Sequence, residues 1–187
     1  EFVAPKWALL NERLAAHYGI SGPKGFELRA VALPADTPFG GFWTQAATMK
    51  VTANGTLTSP IKRGVWGSER LMGIKIPLPP PVEGIAPDIR GAKTLREQLE
   101  LHRKGSCSAC HAKFDPYGFA LENFDVMGQY RTAYRTPDPE LEKLPPAARQ
   151  GKPLWKDGLP VDNTGVTPDG RAFAGINELR GLVAQNP

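Results

Sequence analysis

The clearest chemistry in this 187-residue chain lies in Cys107-Ser108-Ala109-Cys110-His111. Two thiols three positions apart on a helix share one face, so both can reach the two vinyl groups of a single porphyrin. A histidine directly after the second thiol then falls beneath the iron, where its imidazole can serve as the proximal ligand. C-x-x-C-H is the attachment pattern of a c-type haem. The expectation is one covalent haem c, bound by Cys107 and Cys110, with His111 on the metal.

Competing chemistries find less in the chain. Both of its cysteines lie inside the motif. A zinc site needs further thiolates or histidines, and the remaining histidines, His17 and His102, are not spaced as a second ligand pair. A thioredoxin-like dithiol belongs in a βαβ surround, which the sequence does not suggest. A disulfide within the motif leaves His111 without a role.

The second axial ligand decides what such a haem does. A six-coordinate iron carries electrons, whereas an open position admits peroxide, oxygen or other small ligands. The only methionine after His111 is Met127, close behind the motif. Met49, distant in sequence and free to cover the opposite face, is the preferred candidate, with His102, Met127 and Met72 as alternatives. Methionine is also an ordinary core filler, and a histidine near a helix end is commonly a hydrogen-bonding support. Arg63 with Lys62, or Arg131 with Tyr130, could pair with haem propionates. Trp66, Trp43 and Phe119 could wall the pocket, although solvation or core packing accounts for each as readily.

The elements that position these residues read as follows. Residues 5–17 form an amphipathic helix, with Pro5 in its first turn and Trp7, Leu10 and Leu14 on one face, stopped at Gly19. Residues 27–33 alternate as a short strand. Residues 40–51 and 61–72 are helical and flank a polar loop at 52–60. Pro77-Leu78-Pro79-Pro80-Pro81 is a polyproline II strap. Thr94 and Glu97 make a capping box for a helix over 94–102. Residues 114–118 are a turn, 119–124 a short helix, and 129–132 a strand. Residues 136–158 are an exposed excursion, the Asp162, Asn163 and Asp169 region carries turn chemistry, and 176–183 close the chain as a helix.

Composition is that of a globular domain, 41% hydrophobic and 22% charged, with 19 prolines and 20 glycines that imply much loop. The net charge of +4 suits an acidic redox partner. Nucleic acid is not expected, since no basic stripe carries interleaved aromatics, and no run is long enough to span a membrane. The chain does not begin with methionine and shows no signal peptide, so it reads as a piece of a larger exported protein.

Beyond the motif, Thr58–Trp66, the proline strap, His102, Asp115-Pro116-Tyr117-Gly118-Phe119-Ala120-Leu121-Glu122-Asn123-Phe124-Asp125 and the tail from Val161 to Val183 resemble the planctomycete-type cytochrome c proteins. These are large exported bacterial proteins that carry a haem c region near the C-terminus. The resemblance implies a periplasmic or extracellular location and other domains in the parent chain. The expected fold is mainly α, a cytochrome c-like haem core over 93–135 with loop-rich extensions at 1–92 and 136–187, the former over the distal side. The expected function is that of a monohaem electron carrier with a redox partner protein. A five-coordinate haem with peroxidase-like or ligand-sensing behaviour, and a haem that merely staples a binding module, are the alternatives.

Overall fold

The computed structural model describes residues 2–78, 94–102 and 107–185, without the side chains of Gln98, Leu101 and His102. Most of the proline strap therefore lies outside the described residues. In chain order the elements are β1 (Trp7–Leu10), α1 (Glu12–Tyr18), β2 (Arg29–Ala32), α2 (Ala46–Val51), α3 (Pro60–Arg70), α4 (Leu95–His102), α5 (Cys107–Phe119), β3 (Ala133–Pro137), α6 (Pro139–Lys143), β4 (Trp155–Pro160), β5 (Thr164–Val166), β6 (Ala172–Ala174) and α7 (Gly175–Ala184). Short 3-10 turns at Phe42–Thr44 and Pro146–Arg149 complete them. Among the described residues no helix is long and apolar enough to cross a membrane.

The mainly α expectation is overturned. The chain is 40% helical and 17% strand, with the strands in three separate two-stranded antiparallel sheets. The first departure comes at residue 11. Asn11 is extended (φ −109°, ψ 179°) and its side chain accepts from the Leu14 amide at 2.9 Å, so the helix starts at Glu12. Residues 7–10, read as the first turns of that helix, instead pair with β2 in the register Trp7 to Ala32 through Leu10 to Arg29. Gly19 ends α1 in the left-handed conformation, as the sequence anticipates.

The second departure lies in residues 133–160, where β3 and β4 pair with Thr136 opposite Lys156. The stretch is exposed, as its composition demands, yet its ends are laddered. The third hairpin joins β5 to β6, with Gly165 opposite Phe173, and Gly170 supplies the left-handed turn between them (φ 87°). Among the described residues each sheet has two strands and no third to extend it.

Among the described residues an apolar cluster draws on three distant stretches of the chain. It joins Trp43 and Met49 to Tyr117, Ala120, Leu121 and Phe124, and these to Phe173, Ile176 and Leu179 from the C-terminal hairpin and α7. Burial of such side chains contributes about 25 cal/mol per Å² of apolar surface, the principal force that gathers so loop-rich a chain.

Loops carry backbone polar groups that no ladder satisfies. Two buried arginines take over that task. Arg180 of α7 donates to the carbonyls of Thr37, Pro38, Phe39 and Gly40 at 2.9–3.2 Å. Arg63 of α3, wholly buried, donates through Nη1 to the carbonyls of Leu121 (2.9 Å) and Phe124 (2.6 Å), and through Nη2 to that of Asp125 (2.9 Å).

Candidate functional site

α5 begins with the C-x-x-C-H motif and continues to Phe119 as one helix, through Pro116. The turn expected at 114–118 and the separate helix at 119–124 are thus corrected. Proline removes one helical hydrogen bond and crowds the preceding turn, but α5 is held from the side. Its Gly118 lies so close to α3 that a Cβ there would stand 1.9 Å from the Pro60 carbonyl oxygen. On α3, a Cβ at Gly64 would meet the Phe114 carbonyl oxygen at 2.2 Å. Ser68 adds a hydrogen bond to the Lys113 carbonyl at 3.2 Å. α3 itself starts from Ser59, whose hydroxyl accepts from the Lys62 amide, with Pro60 in the first turn. Two helix backbones in direct contact fix the axis along which the motif is presented.

Cys107 and Cys110 stand on the first turn of α5, half-buried and not joined to each other. Four residues after Cys107 comes His111, whose side chain is 12% exposed. Its ring lies 4.8 Å from that of Phe114. Its Nδ1 meets both carboxylate oxygens of Asp115, Oδ1 at 3.0 Å and Oδ2 at 3.1 Å. An ionised carboxylate only accepts, so Nδ1 carries the proton and donates, which in a neutral ring leaves the lone pair on Nε2. A histidine so tautomerised is prepared for a metal at Nε2. Two unlinked thiols on one helical face beside such a histidine fit a covalently attached haem.

Other candidates are placed as follows. Phe119 is buried under Arg96 of α4, whose guanidinium carbon sits 4.0 Å above the ring. Arg96 also pairs with Asp162, which ties α4 to the stretch before β5. The Asp162 carboxyl, which burial alone would raise, is held below its ordinary value by hydrogen bonds from Thr164 and Arg96. Arg96, Ala112, Asp115, Pro116, Phe119 and Thr167 line a cavity of about 340 Å³ alongside the motif helix.

Arg63 has other partners. Its guanidinium is committed to the 121–125 turn, and burial lowers its pKa to about 10, which leaves it charged at neutral pH. Glu122, also wholly buried, has Oε1 3.7 Å from Arg63 and Oε2 3.6 Å from Arg131. Burial pushes its carboxyl upward against the pull of both arginines. Thr58 donates to Glu122 at 3.1 Å and accepts from Arg131 at 3.0 Å. The run from Gly118 to Asp125 is therefore a folded knot in its own right. Asp125 accepts from the amides of Met127 and Gln129, and Asn123 holds the Arg131 carbonyl.

Trp66 stacks in parallel on Phe42 at 6.0 Å between centroids. Met49 is wholly enclosed in the apolar cluster, whose buried members do not include the motif residues. Met127 is 46% exposed, with its sulfur 4.0 Å from Lys50 and its carbonyl 2.9 Å from His17 Nε2. Met72 packs on the edge of the apolar cluster. The His102 side chain lies outside the described residues, although α4, with the expected reciprocal bonds between Thr94 and Glu97, ends at this residue.

Sequence reasoning missed two residues of the site. Asp115 stands four positions after His111, a spacing that brings side chains together only if the helix persists, and Pro116 argued against that. Arg96 follows a capping box on α4 and carried no signal of its own, since its partners Phe119 and Asp162 are remote in sequence.

Fold and site together define a mixed helix-and-hairpin domain organised around a C-x-x-C-H helix. The chain belongs to the PSCyt3 family, described as a protein of unknown function (DUF1588), whose model matches residues 40–134, just over half of the sequence. That match takes in α3, the motif and the Gly118–Asp125 run, while the tail from Val161 lies beyond it. No curated protein and no solved structure shows significant similarity to the chain.

Proposed function

We propose that this chain is a monohaem c-type cytochrome domain that passes single electrons outside the cytoplasm, as the redox module of a larger protein of planctomycete-cytochrome type. The observation that carries the reading is the His111–Asp115 pair at the head of α5, directly after two unlinked half-buried thiols. When bound, the haem supplies a one-electron iron couple. Cys107 and Cys110 anchor it from one helical face, and His111 presents Nε2 to the metal. The close packing of α3 on α5 keeps those three groups in one orientation. The net charge of +4 favours an acidic docking partner. Assembly of such a centre takes place outside the cytoplasm, which is the basis for the proposed location.

A second reading, a five-coordinate haem with small-ligand or peroxide chemistry, draws support from the methionines. Met49 is enclosed in the core, and Met127 lies beside Lys50 and His17. The test is expression in an exporting host with a haem-ligation system, followed by a pyridine haemochrome spectrum of the denatured protein. Wild type should show thioether-bound haem, and the C107S/C110S protein none. Wild type without covalent haem would sink both readings. The far-red sulfur–iron(III) band and carbon monoxide binding then separate them, and loss of the band in Met49→Leu would assign that ligand.

A further inference from the structure

We infer that Asp115 is a positioning residue that strengthens the His111–iron bond and draws the redox equilibrium of the centre toward the ferric state. The inference rests on the haem reading above and goes further, since it assigns a role to a residue outside the C-x-x-C-H motif.

Three features of the geometry carry it. First, Nδ1 of His111 lies nearly equidistant from both oxygens of Asp115, at 3.0 and 3.1 Å, so both carboxylate oxygens face one N–H. Second, the Asp115 side chain is only 2% exposed. Water screens it little, and a charge in such surroundings polarises its partner more than one on the surface. Third, both residues stand on one helix, four apart, and that helix packs closely on α3 at Phe114 and at Gly118. The backbone that carries both side chains is therefore fixed, and the i, i+4 spacing keeps them facing each other.

The consequence follows from acid–base chemistry. A neutral carbonyl acceptor at Nδ1 orients an imidazole but leaves its electron distribution nearly unchanged. A carboxylate draws the Nδ1 proton toward itself and pushes electron density onto Nε2, giving the ring partial imidazolate character. A carboxylate behind a ligating histidine raises the basicity of the ligand in this way. A more basic Nε2 stabilises Fe(III) more than Fe(II), because the higher charge gains more from the stronger donor. The centre should then resist reduction relative to one with a neutral acceptor. Asp115→Asn provides that comparison, since it keeps the shape and an acceptor oxygen and removes the charge.

The experiment compares wild-type and D115N holoprotein by pyridine haemochrome and by spectroelectrochemical titration. The haemochrome reports covalent attachment in either protein, so failure of the haem reading appears there, as absence of haem from wild type. With haem attached, D115N should shift the one-electron equilibrium constant toward the ferrous form by about tenfold or more, the lower end of what the hydrogen-bond partners of metal ligands contribute, equivalent to about 59 mV or more for one electron. A shift of less than about twofold, or toward the ferric form, would overturn the inference. Should D115N fail to fold or load, NMR of the ¹⁵N-histidine-labelled wild type, reduced under carbon monoxide to be diamagnetic, decides the matter. A slowly exchanging, far-downfield proton on His111 Nδ1 supports the carboxylate bond, and a rapidly exchanging one refutes it.

Discussion

Replacing Arg63 with methionine tests whether a buried arginine holds the turn behind the motif helix or merely neutralises Glu122. Arg63 has no exposed surface, and its three hydrogen bonds go to main-chain carbonyls at 2.6–2.9 Å. The nearest Glu122 oxygen is 3.7 Å away, beyond a hydrogen bond. Bonds to a charged donor contribute about 1.5–3 kcal/mol each. Methionine fills the volume but removes all three bonds. The Leu121 and Asp125 carbonyls keep the amides of Phe124 and Gly128, while that of Phe124 loses its partner. The loss should reach about 3–5 kcal/mol, the range for breaking a buried charged contact. That is a large part of the total stability of about 5–15 kcal/mol usual for a domain. Glu122→Gln keeps the contact with Thr58 and should cost about 1–2 kcal/mol. Urea denaturation of the wild type, both single variants and the double variant measures the cycle. If the carbonyls matter most, Arg63→Met remains costly in the Glu122→Gln background, with a coupling energy under about 1 kcal/mol. An Arg63→Met effect that nearly vanishes in that background would show Arg63 to be a counterion and refute the reasoning.

Two further perturbations probe how the motif helix is held. A Cβ at Gly118 would lie 1.9 Å from the Pro60 carbonyl oxygen, so Gly118→Ala must part α3 and α5. The helix-propensity gain of about 1 kcal/mol is smaller than the overpacking it causes, and a net loss of about 1–3 kcal/mol in thermal or urea unfolding is expected; a neutral or stabilised variant would contradict the close approach. The second concerns acid. Asp162 is depressed in the folded protein, so its contribution is complete above the unfolded value of about 3.9 and is lost as pH falls through the lower folded value. Stability should therefore fall less steeply between about pH 4 and 2 in Asp162→Asn than in wild type, and equal slopes would dissociate the Arg96–Asp162 pair from acid unfolding.

Local chemistry was legible where it is self-contained. The capping box of α4, the left-handed stop at Gly19, the strand over 29–32 and the closing helix follow from residues within one or two turns of each other. β1 was not legible, because Trp7-Ala8-Leu9-Leu10 suits a helix face equally well, and its partner strand lies beyond the whole of α1. The 133–160 pairing was hidden for the same reason, its two strands being separated by a polar, proline-rich stretch.

The sequence by itself determined the reactive groups and their order along one helical turn, since C-x-x-C-H is a spacing within a few residues. Tertiary structure decided what surrounds them. Pro116 argues locally for a turn, yet α5 runs on past it with Gly64 and Gly118 set backbone to backbone against the neighbouring helix, and only this continuation brings Asp115 onto His111. A basic residue near such a motif reads as a partner for propionates, yet Arg63 is spent on carbonyls 58 to 62 residues away. A side chain's role depends on which unsatisfied groups the fold brings within about 3 Å of it, and a helix turn can specify that only for its own neighbours.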